Sequence, residues 1–437
     1  MLRWIAGVGT LFLVTIFLAG CGSDSGFSEE EFRSEEGTVQ FVNMMPDSPQ
    51  VRMFHGLSQD DIAFPFTSPI EVRFVDRYDW EIAYVNTEGD RVIVAEGENQ
   101  QISANTLSTF LFMGSTAQPN IQVFDTPEVP SADRVEGQAD VWFASNSTLH
   151  DMVDIYLIDA DANIADEVPL VTITSGNFTQ LNTVPSGTSR RLWVTVAGTD
   201  QVIFDSGAFE VVDQRQELFA VVDDFGPDAS NHVDVIRSLA ASRSIMQDFS
   251  QAPTVRIGNF STFDRIDVQV GETAFSSIPE DSLTAYKEAA AGTAAVSVEV
   301  DGNVSESADV SLFRGRFHSI VSFDDPTIAG GTSSIIVLDE QRPITARATF
   351  KFINGTDQTI DVYGLRDGQD TDDVPPLVQD VGFAGTNVIE VFTDNLRFLV
   401  TPADSAEAIA SLDQNMMPGE NYTLILDSES QLRIQAD

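Results

Sequence analysis

Short runs of alternating apolar and polar residues recur along the chain, and four stretches share one shape. The first is VQFVNMMPDSPQVRMF (39–54), where a proline-flanked acidic turn separates two apolar runs. The shape returns as VWFASNSTLHDMVDIY (141–156), VRIGNFSTFDRIDVQV (255–270) and FKFINGTDQTIDVYG (350–364). An amide or hydroxyl side chain closes the first run each time: Asn43, Ser145, Asn259 and Asn354. These four openings predict an internal repeat.

Two further pairs of alternating runs follow each opening, and we interpret them as a middle and a final hairpin. The middle hairpins have turn residues at their centres, as in AAVSVEVDGNVSESADV, and the fourth is predicted in VIEVFTDNLRFLVTP, with its turn at Asp394-Asn395. Because period-2 runs bury every second residue, the pattern predicts an all-β fold of four tandem immunoglobulin-like antiparallel β-sandwich modules. A run of good helix formers at 281–291 predicts a short helical insertion, and 403–410 is expected to add a turn.

The starts of the four openings set the predicted boundaries. We predict a lipoprotein signal peptide at 1–20, a lipidated cysteine with an acidic flexible linker at 21–37, and β-sandwich modules at 38–137, 138–250, 251–345 and 346–437. Short linkers between the modules predict a bent rod whose modules fold independently.

The first residues resemble a bacterial export signal. They carry one positive charge, Arg3, and an apolar stretch that is short for a membrane span. Leu18-Ala19-Gly20-Cys21 resembles the lipobox, whose cysteine is diacylated and becomes the mature N-terminus, and Cys21 is the only cysteine. The resemblance implies a lipid anchor at Cys21, and the following Gly22 points to the outer membrane, with the periplasmic or extracellular face left open. An ordinary cleaved signal is the alternative.

Acidity is the dominant global property. The formal net charge is −45, or −46 once Arg3 is removed with the signal peptide, and only two lysines occur beside twenty-one arginines. Such a surface repels nucleic acid, so we expect no nucleic-acid partner. The charge is explained either by solubility in a salty medium or by cation binding.

Two acidic clusters are weak calcium candidates. Asp159, Asp161 and Asn163 alternate like the start of a calcium loop, but position twelve holds Leu170 instead of a bidentate Glu. Asp223 and Asp224 lie at the predicted tip of a final hairpin. Solvated loop tips are the alternative interpretation of both clusters.

No other residue pattern predicts chemistry. The four histidines are far apart in sequence and lack paired metal-ligand spacing, and no nucleophile elbow, phosphate loop, dinucleotide fingerprint or zinc-protease motif occurs. We therefore expect no enzyme activity, no catalytic residue and no cofactor.

The opening VNMMPDSPQVRMFHG (42–56) resembles that of the bacterial domain of unknown function 4397. The first unit keeps Asn43, Pro46, Asp47, Pro49, Val51 and Gly56, but has Arg52 where the family usually has Asp. The other units lose the prolines and keep the strand aspartates Asp154, Asp267 and Asp361. The resemblance implies tandem β-sandwich modules on exported, often anchored bacterial proteins, and it implies no activity.

Two hypotheses for function follow. The first is a non-enzymatic envelope lipoprotein, attached to the membrane by lipid, that serves as a scaffold or binds a protein or polysaccharide. The alternative is a polysaccharide-processing hydrolase with a site between modules. An exposed aromatic row on one module would favour the first hypothesis, and its candidates are Trp80, Tyr84 and Trp193, with burial in the core as the alternative interpretation. In the opening turn, Pro46 and Asp47 are expected to have structural roles, with Asp47 capping the turn backbone. The Asn or Ser that closes the first run is expected to satisfy loop amides.

Overall fold

Eight β-sheets account for most of the regular structure in the computed structural model. The model describes residues 36–437 except 57, 66, 129–132, 240–241, 340, 404 and 406, so the predicted signal peptide and Cys21 lie outside the described residues. Among the described residues, no helix has the length and hydropathy of a membrane span. The predicted all-β class of tandem β-sandwiches is confirmed.

The strands of the first sandwich are β1 (Glu36–Asn43), β2 (Val51–His55), β3 (Ser58–Ile62), β4 (Glu71–Phe74), β5 (Arg77–Val85), β6 (Arg91–Gln101), β7 (Thr106–Gly114) and β8 (Pro119–Pro127). Those of the second are β9 (Gln138–Asn146), β10 (Met152–Asp159), β11 (Val171–Thr174), β12 (Asn177–Phe178), β13 (Asn182–Pro185), β14 (Ser189–Val196), β15 (Val202–Glu210), β16 (Gln216–Asp223), β17 (Val233–Leu239) and β18 (Ser242–Ile245). A 3₁₀ turn, Ile164–Asp166, follows β10.

The strands of the third sandwich are β19 (Thr254–Asn259), β20 (Arg265–Val270), β21 (Thr273–Pro279), β22 (Ser282–Leu283), β23 (Lys287–Glu288), β24 (Gly292–Val300), β25 (Asn303–Leu312), β26 (Phe317–Asp324) and β27 (Thr332–Asp339). Those of the fourth are β28 (Arg347–Asn354), β29 (Ile360–Leu365), β30 (Val378–Val381), β31 (Thr386–Phe392), β32 (Asn395–Pro402), β33 (Ala410–Asn415), β34 (Asn421–Leu426) and β35 (Leu432–Ala436).

One topology recurs in all four sandwiches. With the strands of a sandwich lettered A to H in chain order, one sheet has the order D-A-G-H and the other C-B-E-F. Strand D is split into two short strands in the second and third sandwiches, and β18 extends the first of these two sheets beyond strand H in the second sandwich. Strands A and G are parallel, whereas all other neighbours are antiparallel. The arrangement therefore differs in detail from the immunoglobulin strand order and from a purely antiparallel sandwich. We call D-A-G-H the inner sheet and C-B-E-F the outer sheet.

A separate apolar core lies between the two sheets of each sandwich. In the first, Phe41 and Phe110 of the inner sheet meet Met53 and Ile82 of the outer sheet. The other three cores are built in the same way. Full burial of each such side chain contributes about 1.5–3 kcal/mol, so each core is a substantial source of stability.

The inner sheets are buried on both faces because the sandwiches pack in pairs. Val42 and Leu111 on the far face of the first inner sheet contact Trp142 and Ala220 on that of the second; we call these two sandwiches the first pair. The third and fourth sandwiches form the second pair, in which the far faces of β26 and β28 pack together through side chains such as Phe323 and Ile353. The outer sheets alternate buried and exposed residues instead.

Two polar junctions connect the pairs. Arg316 of the third sandwich bonds Asp224 and Asp234 of the second. At the other junction, the Arg342 guanidinium donates to the carbonyl of Ser48 at 2.6 Å, and other contacts join the first and fourth sandwiches. The four sandwiches thus contact one another in a cycle, and the expected bent rod is wrong.

Two local predictions are also wrong. Within 281–291 the chain forms β22 and β23, which pair with β19, because pairing at a sheet edge outweighs helix propensity. In 403–410, where a turn was expected, Ala403 lies in a turn. The predicted fourth middle hairpin does not exist, since β31 pairs with β28 and β32 pairs with β29 and β33. Alternation alone cannot distinguish a hairpin from a chain that crosses between two sheets.

Candidate functional site

The buried asparagine that closes strand A joins two loops. In the third sandwich, Asn259 Oδ1 accepts the backbone N–H of Ser261, and Asn259 Nδ2 donates to the carbonyl of Ile278, both at 3.2 Å. An unpaired buried polar group costs about 1–3 kcal/mol, so these bonds stabilise the loop. The same two contacts are made by Asn43 with Met45 and Ile62, and by Asn354 with Thr356 and Val381. The expected bonds to loop amides are therefore confirmed for these asparagines and wrong for Ser145, whose hydroxyl has no partner among the described residues.

The opening acidic turn has a structural role as well, but not the one expected for its carboxylate. The Ser48 N–H donates to the carbonyl of Met45, which places Pro46 and Asp47 at the centre of a β-turn. Asp47 does not cap that turn. Its carboxylate accepts the Thr116 N–H at 2.9 Å and the Thr345 hydroxyl at 3.1 Å, and so it fastens the junction between the first and fourth sandwiches.

The first set of calcium candidates has other partners. Asp159 pairs with the Arg190 guanidinium at 2.8 Å, Asn163 caps the 3₁₀ turn by accepting the Ala165 N–H, and Asp161 is exposed. In the part of the chain that the structure describes, no three or more His, Cys, Asp or Glu side chains are grouped so that they could hold a metal ion.

Asp223 and Asp224, the second set, are buried and bonded within the protein. The Asp223 carboxylate accepts the Ser147 hydroxyl at 2.7 Å and the Thr148 hydroxyl at 2.6 Å, which ties the start of the second sandwich to its final hairpin. Asp224 accepts from Gln251 and pairs with Arg316, which places it in the junction between the pairs.

The histidines lie in different environments and do not meet. His55 is buried between the rings of Tyr78 and Phe110, neither of its ring nitrogens has a partner among the described residues, and burial lowers its pKa to about 4. His232 is held by Asp248 at 3.0 Å, and this hydrogen bond raises its pKa despite burial. Burial lowers the pKa values of His150 and His318.

Four charged side chains are buried at the interface of the second pair. Lys351 Nζ contacts Asp339 of the opposite sandwich, and the Arg256 guanidinium contacts the opposite Asp437. We call these residues the ion quartet. Burial raises the pKa of Asp339, but the charges of Lys351 and Arg256 outweigh that effect and hold it below its ordinary value. Asp339 is therefore ionised at neutral pH.

The quartet has approximate twofold symmetry. Arg256 and Lys351 occupy the same position of strand A, three residues before the closing asparagine. Each sandwich supplies one cation and one carboxylate, as in an isologous dimer interface. A strand-G hydroxyl supports the carboxylate of its own sandwich: Ser319 Oγ donates to Asp339 at 2.7 Å and Thr423 Oγ1 donates to Asp437 at 2.8 Å. The sequence signal for the quartet, a charge inside each of the apolar runs VRIGN and FKFIN, was missed.

The first pair contains a cavity at the place in its interface where the second pair has the ion quartet. Its volume is about 330 Å³, and its walls include Gln40 and Trp142, which take the strand-A position of Arg256 and Lys351. Ser238, also in the wall, is buried and its hydroxyl has no partner within the described residues. The charged lining residues are Arg134, Arg215 and Glu128.

The aromatic candidates do not form one exposed row. Trp80, Tyr84 and Trp193 are each half-buried, and they belong to the first and second sandwiches. Trp80 packs against the first core, and the Arg191 guanidinium lies 4.2 Å from the Trp193 ring.

Comparison with known proteins yields little. No family model and no curated protein matches the chain. Among solved structures, the TIE protein of Bacillus anthracis is 8% identical over 92% of this chain and 69% of its own, with a TM-score of 0.15. A "putative adhesin" from Bacteroides ovatus is 9% identical over 68% of this chain and 92% of its own, with a TM-score of 0.13. Likeness at such scores carries no argument about function.

Proposed function

We propose that the chain is a non-enzymatic lipoprotein of the bacterial outer membrane, a rigid scaffold that presents binding surfaces to a protein or polysaccharide partner. The observation that carries this proposal is the cycle of contacts among the four sandwiches. A body held at every junction keeps its exposed outer sheets at fixed distances, as a scaffold requires. The lipobox at Cys21 and the resemblance of the opening to the domain of unknown function 4397 support the envelope location.

Rigidity is tested by the distance between the outer sheets of the first and third sandwiches. Spin labels on Glu98→Cys and Asp309→Cys, at exposed positions of the first and third sandwiches, should give one narrow distance distribution. Adding Asp47→Ala, which removes the carboxylate shared by Thr116 and Thr345, should broaden it. A broad distribution without that substitution would contradict a rigid scaffold.

Anchoring is tested in a Gram-negative host. The full chain should incorporate labelled palmitate and sediment with the outer membrane, and Cys21→Ala should abolish both, whereas Ser23→Ala should retain them. Processing and membrane attachment that survive Cys21→Ala would refute the anchor.

The binding role is separated from a hydrolase role with isolated envelope polysaccharide and envelope proteins. Saturable retention of the full chain without release of reducing ends supports the proposal. Release of reducing ends would favour the hydrolase, and absence of retention on every fraction would contradict a binding role.

A further inference from the structure

The cavity of the first pair and the ion quartet of the second occupy equivalent positions in the repeat. In the parallel register of strands A and G, Arg256 lies opposite Ser319 and Lys351 opposite Thr423. The same two positions hold Gln40 and Thr109 in the first sandwich, and Trp142 and Leu218 in the second. The first pair thus has neutral side chains where the second pair places its two buried cations.

Those neutral side chains leave polar groups without partners. The hydroxyls of Ser238 and Thr109 are buried, and neither has a hydrogen-bond partner among the described residues. Buried hydroxyls are normally paired, because leaving one unpaired costs about 1–3 kcal/mol. Ser238 lines the cavity, so a ligand in the cavity can supply its missing partner.

The charge of the lining is unusual for this chain. The lining contains two arginines, Arg134 and Arg215, and a single carboxylate, Glu128, although the whole chain has a net charge of −45. Arg316, which takes the place of Arg215 in the third sandwich, pairs with two aspartates. Arg215 is exposed and has no carboxylate partner in the described part of the chain. The cavity therefore favours one negative charge, and Glu128 disfavours a second.

The shape and the aromatic wall define the rest of the ligand. A volume of about 330 Å³ is at the lower end of the usual range for small-molecule sites. Trp142 and Leu218 offer an apolar surface against which a flat ring packs. We infer that this cavity binds a small organic monoanion, a carboxylate carried on a ring, with the carboxylate beside Arg215 and the ring against Trp142. This site is independent of the proposed scaffold role.

The test uses 2-naphthoate and its uncharged analogue 2-naphthamide as probes. Binding to the full chain in detergent is measured by titration calorimetry against a detergent blank. Naphthoate should bind saturably with 1:1 stoichiometry and about tenfold or more tighter than naphthamide, because only naphthoate can accept a hydrogen bond from Arg215 with a charged group.

Variants locate the binding. Arg215→Glu should weaken naphthoate about tenfold or more and leave naphthamide unchanged, whereas Arg265→Glu, an equal charge change at an exposed residue of the third sandwich, should alter neither. Ser238→Leu, which fills the cavity, should abolish binding of both probes. The inference is overturned if naphthoate does not bind, if both probes bind equally, or if Arg215→Glu has no more effect than Arg265→Glu.

Discussion

The two pairs use the same sheets to make interfaces of different chemistry. In the first pair the contact is mainly apolar, with Leu111 and Trp142 in its centre, and it contains a cavity. In the second pair an apolar half around Phe323 lies beside the ion quartet. Sheet geometry therefore sets where the sandwiches meet, whereas single positions on strands A and G decide whether apolar contacts or ion pairs stabilise the interface.

The chemistry of each interface affects how specifically one sandwich selects its partner sandwich. Apolar faces of similar size pair with little discrimination, but a buried charge strongly disfavours any partner that lacks the opposite charge. Lys351 and Asp339 lie on different sandwiches, so each is paired only when the two sandwiches meet in one alignment. The quartet thus favours association of the third sandwich with the fourth over association with the first or second.

The largest expected effect comes from breaking the quartet. Lys351→Met leaves Asp339 buried without its nearest cation, and removal of one partner of a buried ion pair costs about 3–5 kcal/mol. The free energy of unfolding of the second pair, from urea titration of the full chain, should fall by that amount. Lys287→Met, at the other lysine, which is exposed, is the control and should change the free energy of unfolding by about 0.5 kcal/mol or less. A loss no greater than that of the control would show that the quartet does not hold the interface.

The apolar interface should respond to loss of volume and not to salt. Leu111→Ala removes a fully buried side chain between the first and second sandwiches, which costs about 3 kcal/mol. The loss should be the same at low and high ionic strength, because no charge is involved. Ile93→Ala, at a half-exposed position of the outer sheet, is the control. A loss that changes strongly with salt would mean that charges contribute to this interface.

The buried His55 makes the stability of the first sandwich sensitive to acid. The His55 pKa is lowered to about 4 by burial, so the unfolded chain binds a proton below pH 6.5 that the folded chain does not. This stabilisation is full above pH 6.5 and is lost as the pH falls toward 4, by at most about 2 kcal/mol at pH 5. His55→Leu should remove that pH dependence from urea titrations.

The contribution of His232 to stability depends on pH in the opposite direction. Its raised pKa means that it stabilises the fold below pH 6.5 and that this contribution is lost as the pH rises through the folded pKa. His232→Gln should therefore lower stability more at pH 5 than at pH 8. If His55→Leu and His232→Gln shifted the pH profile in the same direction, the assigned environments would be wrong.

The smallest expected effect concerns the residue that closes strand A. Asn259→Ala in the second pair leaves the Ser261 N–H and the Ile278 carbonyl without that partner, at a cost of about 1.5 kcal/mol. Ser145→Ala in the first pair removes a hydroxyl that has no partner in the described part of the chain, and it should be nearly neutral. Equal losses in thermal unfolding would show that Ser145 has the same role as the closing asparagines.

Much of the fold was predictable because its signals are local. Period-2 runs and turn residues indicated the strands, the repeat and the final hairpins, and the closing asparagines were expected to satisfy loop amides. The pairing of the sandwiches also had a signal. Strand G reads as an almost continuous apolar run in YTLIL and LFAVV, which is typical of a strand covered on both faces, whereas strand F alternates.

The sequence by itself determined the all-β class, the repeat and the turns, because these depend on residues close together in the chain. Only the tertiary structure decided that Asp47 fastens the first sandwich to the fourth, that Asp224 belongs to a junction, and that two charges in apolar runs meet their counter-charges. The physical reason is that a carboxylate looks the same in sequence whether it is solvated, caps a loop or faces a buried cation. Its role depends on which distant strand is brought against it.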